Sequence, residues 1–138
     1  MKELDDITGE IIDAALKIHQ SLGPGLLETV YESVLAKYLE MRGFKVERQK
    51  PITFSFDGIE FNDGFRVDLL INDLVVVELK SVEKLAPVHA KQVLTYIRLM
   101  DLPIGLLINF GAATLKEGLR RIVNDLPASA SPRLRVNQ

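Results

Sequence analysis

The chain opens with two segments whose apolar residues recur at helical spacing. The first predicted helix carries its apolar positions at Ile11, Ala15, Ile18 and Leu22. Glycine and proline in the segment 21–25 end it, because both disfavour the interior of a helix. A second helix is predicted over about 26–42, with Gly43 as its stop. The face predicted to be buried consists of Leu27, Val30, Tyr31, Val34, Leu35, Tyr38 and Met41.

From residue 44 the period of the pattern falls to about two, which is typical of strands. Strands are predicted over 44–48, 52–56, 65–71 and 74–80, and Asp57-Gly58 is a turn dipeptide. The successive apolar residues 75–77 indicate a strand that is covered on both faces.

The remaining pattern predicts a helix over 87–100, an apolar strand over 104–110 and a last helix over 115–123. Residues 127–138 are rich in Ala, Ser and Pro and are predicted to be a flexible tail, which leaves 1–126 as a single domain. The order of elements predicts an α/β (α+β) fold with a mixed central β-sheet flanked by helices.

Length and composition argue against a membrane-spanning, secreted or disulfide-bonded protein. The 138 residues suit one domain with a sizeable core, and no apolar run reaches the length of about 18 residues that a membrane span needs. The acidic N-terminus has no apolar signal core, so secretion is not expected. The absence of cysteine excludes disulfides and thiolate metal sites, and a cytoplasmic location is the simplest expectation.

The net charge of −2 gives little support to nonspecific coating of nucleic acid, which usually requires a basic protein. A polyanion would need a local basic patch or metal ions. Two loose patches are present, formed by Arg42, Lys45, Arg48 and Lys50, and by Lys116, Arg120 and Arg121. Interleaved acidic residues make a solvated charged face the commoner interpretation of both.

Four polar residues stand out within otherwise apolar or ordinary elements: Asp68, Glu78, Lys80 and Gln92. A charge on a buried strand is costly unless it is paired or binds metal. Glu78 and Lys80 are two residues apart on one strand, so they point to the same face.

The position of Asp68 depends on the turn that joins its strand to the next. A two-residue turn at Asn72-Asp73 would place Asp68 opposite Val77, on the face away from Glu78. A three-residue loop over 72–74, or a bulge, would place Asp68 opposite Glu78. The sequence leaves both alternatives open.

If the two carboxylates face each other, they repel unless a positive charge lies between them. Lys80 can supply part of that charge, and a hard divalent cation such as Mg²⁺ or Mn²⁺ would supply more. Such an ion polarises a phosphoryl oxygen and lowers the pKa of bound water. Lys80 could then orient the water or stabilise charge on the phosphate.

These residues resemble a known nuclease core. Asp68, nine intervening residues and Glu78-Leu79-Lys80 resemble the PD-(D/E)XK nuclease motif. Residues 92–96 resemble the Q-x-x-x-Y helix motif of the RecB-like exonuclease branch, and residues 25–31 match the G-x-x-E-x-x-Y signature of the GxxExxY protein family. The resemblance covers about residues 7–124, although Val67 stands where the superfamily name has proline.

The resemblance implies a restriction-endonuclease-like αβββαβ core, preceded here by an extra N-terminal helix, and metal-dependent hydrolysis of phosphodiester bonds. By motif match, Asp68 and Glu78 would be metal ligands, and Lys80 would be the catalytic lysine. Gln92 would position the lysine, the water or the substrate phosphate, and Glu28 would be an extra catalytic and metal-binding acid supplied by a helix.

A helical wheel supports the choice of Glu28 over Glu32. Glu28 lies roughly 100° from the centre of the predicted apolar face and Glu32 roughly 140°, so Glu32 is expected to face water. Alternatives stay open for each residue. Asp68, Glu78 and Lys80 could form a surface ion-pair cluster, Glu28 could be a favourable first-turn acid, and Gln92 could be a solvated helix residue.

Two hypotheses of function follow. The first is a Mg²⁺-dependent phosphodiesterase, a nuclease acting on DNA. The sequence does not distinguish DNA from RNA or branched DNA as its substrate. The second is a catalytically inactive nuclease-fold module for binding or assembly, which the small size and acidic net charge favour. A homodimer is also considered, because small nucleases often need a second subunit to surround a duplex.

Overall fold

Nine elements follow one another in the computed structural model, which describes residues 2–125. They are α1 (Lys2–Leu22), α2 (Glu28–Met41), β1 (Val46–Phe56), β2 (Ile59–Ile71), β3 (Val75–Lys80), α3 (Pro87–Met100), β4 (Ile104–Asn109), α4 (Leu115–Gly118) and β5 (Leu119–Val123). The third helix has the predicted bounds, and the two strands predicted over 44–56 are one long strand. The flexible tail predicted for 127–138 lies outside the described residues. No helix in the described part is long and apolar enough to cross a membrane.

The strands form one sheet in the order β1-β2-β3-β4-β5. Strands β3 and β4 are parallel and are joined through α3, whereas the other neighbours are antiparallel. The predicted mixed sheet flanked by helices is therefore confirmed.

Two hydrophobic clusters cover the two faces of this sheet. The first cluster includes Val75, Val77 and Leu79 and packs under α1 and α2. The second cluster includes Val76 and Ile97 and packs under α3. Strand β3 is thus covered on both faces, as its run of apolar residues predicted.

The end of the chain differs from the prediction of a helix over 115–123. The helix ends after one turn at Gly118, and residues 119–123 form β5, which pairs with β4. A Cβ at Gly118 would lie 2.3 Å from the carbonyl oxygen of Asn109, so only glycine permits this close approach. Leu119 and Ile122 pack on opposite clusters, as alternating strand positions do.

The buried face of α2 also differs from the prediction. Its buried residues are Tyr31, Glu32, Leu35, Ala36 and Leu39. Leu27 and Met41, which were predicted to be buried, are 73% and 74% exposed. The observed buried face is rotated about the helix axis by roughly a third of a turn from the predicted buried face, because several apolar residues of this helix face outwards.

The turn between β2 and β3 is the three-residue loop 72–74. Ile71 pairs with Val75 and Leu69 pairs with Val77, so the next pair along the hairpin is Asp68 with Glu78. Asn72 and Asp73 both have left-handed backbone conformations, which these two residue types tolerate. Of the two alternatives left by the sequence, the structure has the one that places the two acids opposite each other.

Candidate active site

Asp68 and Glu78 lie where strands β2 and β3 diverge, and we call this place the fork. The regular pairing ends at Leu69 and Val77. Beyond it the backbone N–H of Asp68 donates to Glu78 Oε2 (3.0 Å), and the N–H of Leu79 donates to Asp68 Oδ2 (2.8 Å). The two carboxyl groups therefore accept main-chain donors that have left the sheet ladder, and these bonds fix both side chains.

The environment of Glu78 strongly favours its neutral form. Its side chain is buried, with only 8% of the residue exposed. Burial, and then the hydrogen bond and the charge of Asp68, raise the pKa of Glu78 to about 9. The N–H of Asp68 and the charge of Lys80 act in the opposite direction. Without a cation, this pair of acids therefore holds a proton at neutral pH.

Lys80 follows Glu78 at the end of β3, and the backbone around it is firmly held. Its carbonyl oxygen accepts the N–H of Phe110 at 2.8 Å. Asn109 is 1% exposed and bonds both backbone groups of Val82, with its Oδ1 accepting Val82 N–H (3.0 Å) and its Nδ2 donating to Val82 O (2.9 Å). Asn109 thereby fixes the course of the chain just after the lysine.

A third acid reaches the fork through a glutamine. Glu32 is 5% exposed, so the expectation that it faces water is wrong. Gln49 Nε2 donates to Glu32 Oε1 (2.6 Å) and to Asp68 Oδ1 (3.2 Å), and Arg48 pairs with Glu32 Oε2 at 3.1 Å. Glu28 is exposed in the first turn of α2. The structure therefore connects Glu32, rather than the predicted Glu28, to Asp68.

Neither Glu32 nor Gln49 is among the site residues predicted from the sequence. Ala36 and Leu39 share the buried face with Glu32, and including them in the helical wheel would have pointed to that residue. Gln49 has a left-handed backbone conformation (φ 49°) within β1, and no feature of the sequence signals it.

Tyr96 of α3 stands beside the fork. Its ring stacks on Phe65 with centroids 4.3 Å apart, so it packs against β2. Burial and then the charges of Glu78 and Asp68 raise the pKa of Tyr96, so its hydroxyl is within electrostatic reach of both acids. Gln92, one turn earlier on the helix, is exposed.

The G-x-x-E-x-x-Y segment has a clear physical role. The Tyr31 hydroxyl donates to the carbonyl of Gly23 and accepts the N–H of Leu26, and the ring stacks on Phe110 at 4.4 Å. Ser81 Oγ donates to Leu26 O at 2.5 Å. Tyr31 therefore anchors the loop before α2 against the end of β3, next to Lys80.

The first basic patch is neutralised by acidic partners. Ion pairs of 2.7–3.1 Å join Arg42 to Glu10 and Asp13, Lys45 to Asp73, Arg48 to Glu32 and Lys50 to Glu47. In the second patch, Arg121 pairs with Asp5 at 2.9 Å. These contacts favour the interpretation of charged solvated faces over phosphate-binding patches.

The fork offers a metal ion two carboxylates rather than a complete set of side-chain ligands. Among the described residues, no group of three or more His, Asp or Glu side chains is arranged to hold a metal. Asp68 and Glu78 are nevertheless hard oxygen donors in direct apposition, joined through main-chain N–H groups at 3.0 and 2.8 Å. Oxygen donors of this type are the ligands that hard divalent cations prefer.

Comparison with known proteins identifies the family of this chain. A sequence model of the PD-(D/E)XK nuclease superfamily matches residues 5–122. The chain belongs to this superfamily. Its fold is restriction-endonuclease-like, as expected from the motifs. A search of curated proteins finds no match. A solved structure described as "Crystal structure of SSO0001" is 16% identical, with a TM-score of 0.45, covering 95% of this chain and 82% of that chain.

Proposed function

We propose that this PD-(D/E)XK protein is a metal-dependent nuclease that hydrolyses the phosphodiester bonds of DNA. The observation that supports this most is the meeting of Asp68 and Glu78 at the fork, where each accepts a main-chain N–H from the other strand. Lys80 lies two residues further along the same strand. The match of residues 25–31 to the G-x-x-E-x-x-Y signature further supports placement in the GxxExxY branch.

Asp68 and Glu78 would hold Mg²⁺ or Mn²⁺. When bound, such an ion supplies a Lewis acid that polarises the phosphate and acidifies its bound water. Each carboxylate oxygen has a lone pair beyond the one that accepts its N–H, so the hydrogen bonds at the fork and metal coordination are compatible. The pair must release its proton to bind the ion, because the neutral acid is a poor ligand.

The other residues would act on the water, the phosphate or the ligands. The Lys80 ammonium would stabilise charge on the phosphate or orient the attacking water. Gln49 would keep Asp68 in position by donating to Asp68 and Glu32 together. Glu32 would support Asp68 through Gln49, and Gln92 would contact a phosphate from the exposed side of α3.

The test combines metal binding by calorimetry with cleavage of labelled DNA. Asp68→Asn and Glu78→Gln are expected to lose Mg²⁺ and Mn²⁺ binding together with cleavage. Lys80→Met is expected to bind metal but to cleave at least 100-fold more slowly, a loss typical of removing a donor that stabilises developing charge. Glu83→Gln, at an exposed acid of the following loop, is the matched control and should behave as the wild type.

The same measurements decide against the proposal if it is wrong. Cleavage at the wild-type rate by rigorously purified Lys80→Met would remove the lysine from the mechanism. A wild-type protein that binds neither ion and cleaves no DNA would instead be the inactive binding or assembly module. RNA and branched DNA substrates in parallel reactions identify the substrate class.

A further inference from the structure

The β1–β2 hairpin extends well beyond the fork. Strands β1 and β2 stay paired as far as Phe56 and Ile59, whereas β3 pairs with β2 only over 69–71. Residues 50–67 therefore form an arm, and the apolar side chains on one side of it form what we call the aromatic strip. Together with Tyr96 of α3, the strip consists of Ile52, Phe54, Phe56, Ile59, Phe61 and Phe65.

The strip begins at the fork and continues outwards through neighbouring rings. Phe65, three residues before Asp68 on β2, stacks on Tyr96 of α3 with ring centroids 4.3 Å apart. Phe65 lies 6.3 Å from Phe54, and Phe54 stacks on Phe61 at 5.3 Å. The rings therefore form a continuous path from the candidate catalytic acids to the outer arm.

Local backbone geometry makes room for this path. The pairing of β1 with β2 shifts register between Ile52 and Phe54, and Gly64 lies in the bulge. A Cβ at Gly64 would lie 2.4 Å from Phe54 Cε1, so the ring of Phe54 rests on the bare backbone of residue 64. A side chain at this position would push the ring out of the path.

The outer part of the strip is exposed. Phe56 is 54% exposed, Ile59 58% and Phe61 37%, which is unusual for three adjoining large apolar side chains. The opposite side of the arm carries polar residues such as Thr53 and Ser55. Ile52 and Phe65 belong to the second hydrophobic cluster, whereas the outer rings of Phe56 and Phe61 lie outside it.

We infer that the aromatic strip binds unpaired bases, so that the substrate is single-stranded or locally unpaired nucleic acid; this inference rests on the proposed function. Rings that lead outwards from the proposed site to an exposed end match how proteins hold single strands, by stacking bases on aromatic side chains. Bases inside an intact duplex could not reach the rings.

The charges around the fork fit the same ligand. Lys45, Arg48 and Lys50 on β1 and the segment before it are paired with acids. In contrast, Lys80 at the fork forms no ion pair within 4.0 Å with a carboxylate of the described residues. Its ammonium group therefore lies at the inner end of the path, where a phosphate of a stacked strand would pass.

The test measures binding of fluorescent oligonucleotides in EDTA, which prevents cleavage by a metal-dependent nuclease. The wild type is expected to bind single-stranded DNA at least tenfold more tightly than duplex DNA. Phe56→Leu combined with Phe61→Leu keeps apolar side chains but removes the two outer rings, and it should weaken single-strand binding roughly tenfold. The matched control, Leu27→Ser with Met41→Ser, changes the exposed apolar residues just before α2 and at its end, and should leave binding unchanged.

A 2-aminopurine base in the oligonucleotide reports stacking directly, because its fluorescence is quenched when it stacks. Quenching by the wild type that is lost in the double leucine variant would support the inference. Equal affinity for both DNA forms, or undiminished binding by the variant, would overturn it while leaving the nuclease proposal intact. If the variant instead converts a dimer to a monomer in sedimentation with DNA affinity unchanged, the strip joins two copies and the inference fails. A wild type that neither binds nor cleaves nucleic acid would overturn both proposals.

Discussion

Replacing Glu78 by glutamine should change how stability depends on pH. Glutamine keeps the shape and can still accept the N–H of Asp68, but it carries no charge and binds no proton. In the wild type, burial and the neighbouring Asp68 raise the pKa of Glu78 from 4.5 to about 9. The folded protein therefore holds a proton that the unfolded chain releases above pH 4.5.

The sign and size of the effect follow from this difference. Because the pKa is raised in the folded state, the stabilising contribution of the proton is complete below pH 4.5. It is lost progressively as the pH rises towards 9. At about 1.4 kcal/mol per pH unit, the metal-free wild type should lose roughly 4 kcal/mol relative to Glu78→Gln between pH 5 and pH 8. That is a large share of the typical stability of a domain.

Urea unfolding in EDTA at pH 5, 6, 7 and 8 measures this loss for both proteins. All other titrating groups are common to the two chains, so the difference between their free energies of unfolding reports the titration of Glu78 together with its coupling to Asp68. Adding Mg²⁺ at pH 8 should restore stability to the wild type and not to the variant. Parallel pH dependence of the two proteins would refute the assignment of a raised pKa to this carboxyl.

Two further substitutions test how the site is supported. Tyr31→Phe removes the hydroxyl that bonds Gly23 O and Leu26 N–H, and should lower the free energy of unfolding by about 1–3 kcal/mol in urea titrations; an unchanged midpoint would contradict the anchoring role. Gly111→Ala places a Cβ 2.3 Å from the carbonyl oxygen of Val82, and should lower both the stability of the protein and its cleavage rate. Gly9→Ala is the control, because open space surrounds that position, and it should stabilise the protein by about 0.5–1 kcal/mol.

Much of the fork could be predicted from the sequence because it depends on local periodicity. The run of apolar residues before Glu78 identifies a strand covered on both faces, and alternation then places Glu78 and Lys80 together. The bounds of α3 follow from the proline at its start and its regular apolar spacing. These features belong to single elements, so no knowledge of their neighbours is needed.

The features that could not be predicted depend on how elements meet. Asn72 and Asp73 suit both a two-residue turn and the start of a longer loop, so only tertiary pairing decides that Asp68 faces Glu78. The outward Leu27 of α2 misled the helical wheel and hid Glu32. Leu119 and Ile122 fit a helix as well as a strand, and only the free edge of β4 makes them strand residues.

The fork also explains why a costly arrangement persists in an otherwise apolar sheet. Two apolar side chains at positions 68 and 78 would continue the clusters without burying charge, and such replacements often stabilise proteins. Here the two acids instead complete hydrogen bonds that the diverging strands cannot make for themselves. The main chain therefore needs acceptors at the fork, and the proton on Glu78 makes them tolerable in the absence of a cation. Under the proposed function, a divalent ion would take the place of that proton at the two carboxylates, which the fork already holds opposite each other.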